Sequence, residues 1–275
     1  MSKSTNRIDA RFANLKATGR TGLIPFVTAG DPSPDTVVPL MHALVAHGAD
    51  VIELGVPFSD PMADGPTIQH ADERALAAGV GLADVLRWVS WFRQDDDATP
   101  VVLMGYLNPI EIHGYQAFAD EAVAAGVDGV LLVDCPIEEA VTAAPLREAG
   151  LRQIWLAAPT TSAARLERLC ESAEGFLYYV SVAGITGTHG LAVGDIAARV
   201  AGIREKAGAP VAVGFGVRSA EQACAIADFA DAVVIGSALV ERLAGAGDAA
   251  EVTARVGDFL APIRAALDGK ARATD

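Results

Sequence analysis

Two runs near the C-terminus, Val211-Ala212-Val213-Gly214-Phe215-Gly216 and Asp231-Ala232-Val233-Val234-Ile235-Gly236-Ser237, each set β-forming residues against glycine at their far end. A run that is apolar on both faces belongs to a sheet covered on both sides, as parallel sheets are. Outward from these two, six further runs have the same character: 22–27, 50–54, 101–105, 128–133, 153–157 and 176–181. Between runs lie Ala-rich stretches such as PDTVVPLMHALVAHG and SAARLERLCESA, with apolar residues at helical spacing. Gly48, Gly126 and Gly150 stand where such stretches end before the next run.

Eight βα units in 275 residues predict a (β/α)8 barrel, with an extra N-terminal helix and long loops after strands 2 and 6. A doubly wound open sheet is the alternative, but it would concentrate its special residues at one switch point. Here Gly, Pro, Asp, Thr and Ser gather after strands 1, 2, 6, 7 and 8. No linker or composition shift divides the chain, so one domain over residues 1–275 is expected.

The composition is 51% apolar and 20% charged, with a net charge of −14, which argues against disorder and against a basic nucleic-acid footprint. Cys135, Cys170 and Cys224 lack metal or redox spacing and read as reduced thiols. The polar start, without a signal-type apolar core or a run of membrane-spanning length, predicts a cytoplasmic protein.

Glu53 stands in the apolar run VIELG, where a carboxyl needs a partner or a raised pKa. No strand run contains Lys or Arg, so an acid–base role is favoured over a structural ion pair. Asp60 reads as a turn residue; Asp64, before Gly65-Pro66, reads equally as a helix cap or a second functional acid. Asp95–Asp97 lie before a strand and read as a solvated turn. The segments Gly184–Gly187, Gly214–Gly216 and Gly236-Ser237 follow three consecutive strands and together suggest a phosphate cradle, with a short helix starting near Ser237. Lysine occurs only at positions 3, 16, 206 and 270, none at a strand end, which excludes a Schiff-base aldolase. Histidines 42, 47, 70, 113 and 189 show no ligand spacing, so no metal is expected.

The run Ile52-Glu53-Leu54-Gly55-Val56-Pro57-Phe58-Ser59-Asp60-Pro61-Met62-Ala63-Asp64-Gly65 resembles the signature of the tryptophan synthase alpha chain family. FVTAGDP (26–32), LMGYLNP (103–109), DCP (134–136), APTT (158–161), AGITG (183–187), GFGV (214–217) and GSA (236–238) match in order, from about Arg7 to Leu267. Val182 and Thr188-His189 depart from the pattern. The resemblance implies cleavage of indole-3-glycerol phosphate, with Glu53 and Asp64 catalytic. It implies substrate contacts from Phe26, Tyr106, Leu131, Tyr178, Thr186, Gly187, Gly216, Gly236 and Ser237. By resemblance alone, Asp134 matches an acid beside the strand of Glu53. It further implies no cofactor in this chain and an α2β2 assembly with a beta chain that carries pyridoxal phosphate. Pro57–Gly65 and Gly184–Gly194 are the expected partner-facing loops. The alternatives are a stand-alone indole-3-glycerol phosphate lyase, an indole-3-glycerol phosphate synthase and a non-catalytic regulatory subunit with the same fold. Indole-3-glycerol phosphate synthase needs an active-site lysine that the strand runs lack. A non-catalytic regulatory subunit would not need both acids.

Overall fold

The computed structural model describes residues 6–180, 193–214 and 216–270. The strands are β1 (Gly22–Thr28), β2 (Ile52–Gly55), β3 (Val101–Gly105), β4 (Gly129–Leu132), β5 (Arg152–Gln153), β6 (Trp155–Ala157), β7 (Leu177–Val180), β8 (Val211–Gly214) and β9 (Ala232–Ile235). The helices are α1 (Arg7–Ala17), α2 (Val37–Ala46), α3 (Pro66–Ala77), α4 (Leu82–Phe92), α5 (Leu107–His113), α6 (Tyr115–Ala125), α7 (Ala144–Glu148), α8 (Ala163–Glu171), α9 (Val193–Lys206), α10 (Ala220–Ala227), α11 (Ser237–Leu243) and α12 (Ala249–Asp268).

All strand pairings are parallel, in the order β5-β4-β3-β2-β1-β9-β8-β7-β6. The two ends of that order, β5 and β6, are one stretch of chain interrupted at Ile154, whose N–H donates to the Val130 carbonyl at 2.8 Å. The sheet therefore closes on itself as an eight-stave barrel. The fifth stave, expected as a single run from 153, begins one residue earlier and is split. No basic residue is expected in a strand, whereas β5 starts with Arg152. That guanidinium pairs with Asp9 and Glu174 at the N-terminal end of the barrel, away from the mouth.

Side chains alternate across the barrel wall. One set fills the layer between sheet and helices, including Leu23, Leu54, Leu103, Leu132, Val213 and Val233. The other points inward, with Ile24, Val102, Leu131, Ile154, Phe176 and Val234. The expected extra helix has a definite task here: α1 places Ile8, Phe12 and Leu15 in the inward cluster and plugs the N-terminal end. The floor is sealed, so chemistry is left to the mouth formed by the strand C-termini. Asp50 is buried with Arg264 of α12 at 3.1 Å, which ties the last helix to the floor. Among the described residues, no single helix is long and apolar enough to cross a membrane.

Candidate active site

Parallel pairing puts Phe26 of β1 beside Glu53 of β2, and Glu53 beside Val102 of β3. Val102 faces the barrel interior, so Glu53 does too, and it is 1% exposed. Its Oε1 has no hydrogen-bond partner among the described residues. Burial, followed by the charge of Asp64, pushes its pKa up to about 8. Among the described residues, no cation opposes that rise. The expected acid without a counter-ion is thus what folding produces.

Asp64 reaches the site from the loop after β2. The helix that follows, α3, has Gly65 rather than Asp64 at its N-cap. The Asp64 carboxylate instead accepts from the Tyr106 hydroxyl at 2.8 Å. That same hydroxyl accepts from the Ala63 N–H at 2.9 Å, and the Tyr106 ring stacks on Phe58 with centroids 4.9 Å apart. Gln69 of α3 donates to the Asp64 carbonyl at 2.8 Å. Half-burial raises the Asp64 pKa, while the Tyr106 hydrogen bond holds it down. The capping alternative is excluded by this geometry, and Asp60 is a surface turn residue bonded to Ser59.

Phe26, Leu131 and Tyr178 sit on β1, β4 and β7, and all line the interior that holds Glu53. The Tyr178 phenol pKa is raised well above its ordinary value by burial and by the Glu53 charge, which places the two groups close together. Two glycines make room for these rings. A Cβ on Gly55 would lie 2.7 Å from the Phe26 ring, and one on Gly214 would overlap the Tyr178 hydroxyl.

At the mouth, Gly216 follows β8 with φ +62°, a conformation glycine adopts freely. Gly236 follows the neighbouring strand β9 and caps α11, which starts at Ser237 as expected. Gly216 and Ser237 are exposed and Gly236 is half-buried, all three following the adjacent strands β8 and β9. Thr186, Gly187, Val182 and His189 lie outside the described residues. Asp134 needs correction: it follows β4, which β3 separates from the strand of Glu53, and it accepts from the Leu107 N–H at 2.8 Å at the start of α5. Asp96 binds the Ala98 and Thr99 amides, a turn as anticipated. Among the described residues, no His, Cys, Asp and Glu group could hold a metal ion.

Asp72 is a buried acid near the site that was not among the sequence candidates. It lies on α3, is 4% exposed, and has a pKa pushed up to about 7, first by burial and then by Asp64. The signal was present, because Asp72 is one turn beyond Ile68 and next to Ala71 on the inward face of PTIQHADERALA.

A sequence profile described as "Tryptophan synthase alpha chain" matches residues 12–265. The chain belongs to the tryptophan synthase alpha chain family. It is 61% identical over 266 residues to the tryptophan synthase alpha chain of Xanthomonas euvesicatoria, covering 96% of this chain and 99% of that one. The counterpart from Laribacter hongkongensis is 60% identical, with 96% and 99% covered. Among solved structures, the alpha subunit of Legionella pneumophila superposes with a TM-score of 0.90 at 46% identity, covering 97% of this chain and all of that one. Tryptophan synthase from Mycobacterium tuberculosis gives a TM-score of 0.83 at 36% identity, covering 94% and 100%. These relatives share the family's barrel along nearly its whole length.

Proposed function

We propose that this chain is a cytoplasmic carbon–carbon lyase that cleaves indole-3-glycerol phosphate reversibly to indole and glyceraldehyde 3-phosphate. The observation that carries the reading is Glu53, a carboxyl sealed inside the barrel beside Asp64 that keeps its proton at neutral pH.

Breaking a carbon–carbon bond needs an electron sink. The indole ring supplies one once C3 is protonated, so no lysine Schiff base is required. Glu53 gives its proton to C3, and the ring becomes an indolenine cation with positive charge at nitrogen. Asp64, held by Tyr106, accepts the indole N–H hydrogen bond and stabilises that charge. As the C3–glycerol bond breaks, its electrons return to the ring. The Glu53 carboxylate takes the adjacent hydroxyl proton, leaving an aldehyde and restoring the acid. Phe26, Leu131 and Tyr178 supply apolar walls for the indole, and the backbone of Gly216, Gly236 and Ser237 receives the phosphate.

We also propose that a tryptophan synthase beta chain docks over the mouth, in an α2β2 assembly. Met62, Ile112 and Val141 are 86%, 79% and 78% exposed and lie on connections following the adjacent strands β2, β3 and β4. Large apolar side chains gathered in one sector mark a contact surface. The test is an assay of purified chain with indole-3-glycerol phosphate, with and without beta chain. Indole and glyceraldehyde 3-phosphate should appear in equal amounts. Absence of both products under either condition overturns the reading.

A further inference from the structure

Outside the catalytic pair, two further acids among the described residues are buried at the mouth of the barrel: Asp31, which is paired with Arg74, and Asp72, whose pKa no cation lowers. Asp72 lies on the inner face of α3, beneath the connections that leave β1 and β2. Its carboxyl faces the Thr28 hydroxyl and the Phe58 backbone N–H, although Thr28 Oγ1 falls short of hydrogen-bond geometry. Thr28 ends β1 and pairs with Gly55, the last residue of β2. Phe58 belongs to the loop that carries Asp64, and its ring stacks on Tyr106, the residue that holds the Asp64 carboxylate. A continuous chain of contacts therefore runs from Asp72 through Phe58 and Tyr106 to Asp64.

The helix is anchored so that this chain can act. Arg74, half a turn further on, pairs with Asp31 after β1 through two hydrogen bonds of 2.6 and 3.1 Å. Gln69, on the preceding turn, holds the carbonyls of Pro61 and Asp64. Thus α3 grips the loop at its far end with an amide and at its near end with a carboxyl. A neutral amide would serve the first contact alone; a carboxyl within reach of another carboxylate adds a dependence on charge.

We propose that Asp72 is a positioning residue for the cleavage reaction, holding the Phe58–Asp64 loop so that the Asp64 carboxylate faces the substrate. The proposal rests on the catalytic reading of Asp64. The charged groups around Asp72 are Asp64 on the loop and Asp31 after β1, both acids, with the Arg74 guanidinium engaged by Asp31. From α11, which packs on α3, Glu241 is paired with Arg218, and Arg242 lies over the Phe259 ring. Burial and the neighbouring acids therefore hold the Asp72 proton until pH rises through about 7. Neutral Asp72 supports the loop; ionised Asp72 sets a second negative charge against Asp64.

The experiment compares wild type, Asp72→Asn, Asp72→Leu and Asp64→Asn in steady-state cleavage of indole-3-glycerol phosphate from pH 6 to 9, with folded fraction followed by circular dichroism. Asp72→Leu removes the polar end and should lower kcat by roughly tenfold to a hundredfold, with KM changed less than about threefold, as for loss of alignment rather than of binding. Asp72→Asn keeps the shape and a neutral polar end. It should retain kcat within about threefold at pH 6.5 and lose less activity than wild type between pH 7 and 8. The proposal is overturned if Asp72→Asn falls as far as Asp72→Leu, if its pH profile coincides with that of wild type, or if the loss in Asp72→Leu equals its loss of folded protein. An Asp64→Asn variant as active as wild type removes the catalytic reading itself, and with it the proposal.

Discussion

Glu53 keeps its proton up to about pH 8 because its carboxylate form would be sealed in the barrel with Asp64 as its nearest charge. In the proposed mechanism the acid form protonates indole C3, so cleavage should fall as pH rises through about 8. Glu53→Gln cannot give or take the proton and should lower turnover by roughly 10²–10⁴. The same shift costs stability. Between its ordinary value of 4.5 and about 8 the unfolded chain is ionised at this position while the folded chain is not. The folded state binds the extra proton, and stability from this group is lost as pH rises through that window. Glu53→Gln should therefore melt above wild type at pH 8, by an amount on the order of a few kcal/mol, and close to it at pH 4.5. Thermal scans at the two pH values check both the direction and the window.

At the scale of elements, the two ends of the barrel answer to different demands. At the N-terminal end, Arg93 after α4 donates to the carbonyls of Gly126 and Thr99 and to the Asp128 carboxylate at 2.8 Å. Asp128 is 3% exposed, also receives the Val101 N–H, and has Arg7 as its second cation. Arg93→Met should destabilise the chain by about 3 kcal/mol, read as a shift of the urea midpoint, because the buried acid loses its closest partner. Turnover per folded molecule should not change, since these groups lie at the end opposite the mouth. At the C-terminal end the reverse is expected. Gly55→Ala puts a methyl group 2.7 Å from the Phe26 ring and displaces the pocket wall. We expect it to lower kcat/KM by about tenfold or more while the urea midpoint moves little. Equal effects on stability and turnover at either end would contradict this division.

For the whole molecule, the exposed apolar residues of one sector of the mouth should matter only when a partner is present. Ile112 lies on α5, outside the proposed pocket, and is 79% exposed. Ile112→Asp should leave the basal indole-forming rate unchanged. It should weaken beta-chain binding by 1–3 kcal/mol, roughly tenfold to a hundredfold, and reduce activation at limiting partner concentration. Sedimentation and rate titrations with beta chain measure these two effects separately. If added beta chain neither binds nor accelerates even the wild type, the chain works alone.

Much of this was legible in the linear chain because it depends on local periodicity. Runs apolar on both faces required a doubly covered parallel sheet, and glycine ending the runs 211–216 and 231–237 located the mouth. An acid in VIELG without a basic residue in neighbouring runs singled out Glu53. Other assignments depend on which distant segments meet. Whether Asp64 caps α3 or faces the mouth was settled by Tyr106, 42 positions away, taking its carboxylate. Asp134 does not lie beside the strand of Glu53 because β3 stands between β4 and β2. The proposed role of Asp72 depends on α3 packing against β1, which brings a helical acid to face a loop amide and a second carboxyl. Patterns repeating every two or nearly four residues report which side of an element is buried. They carry no record of the partner on the other side, and it is that partner that sets a buried group's charge, bonds and work.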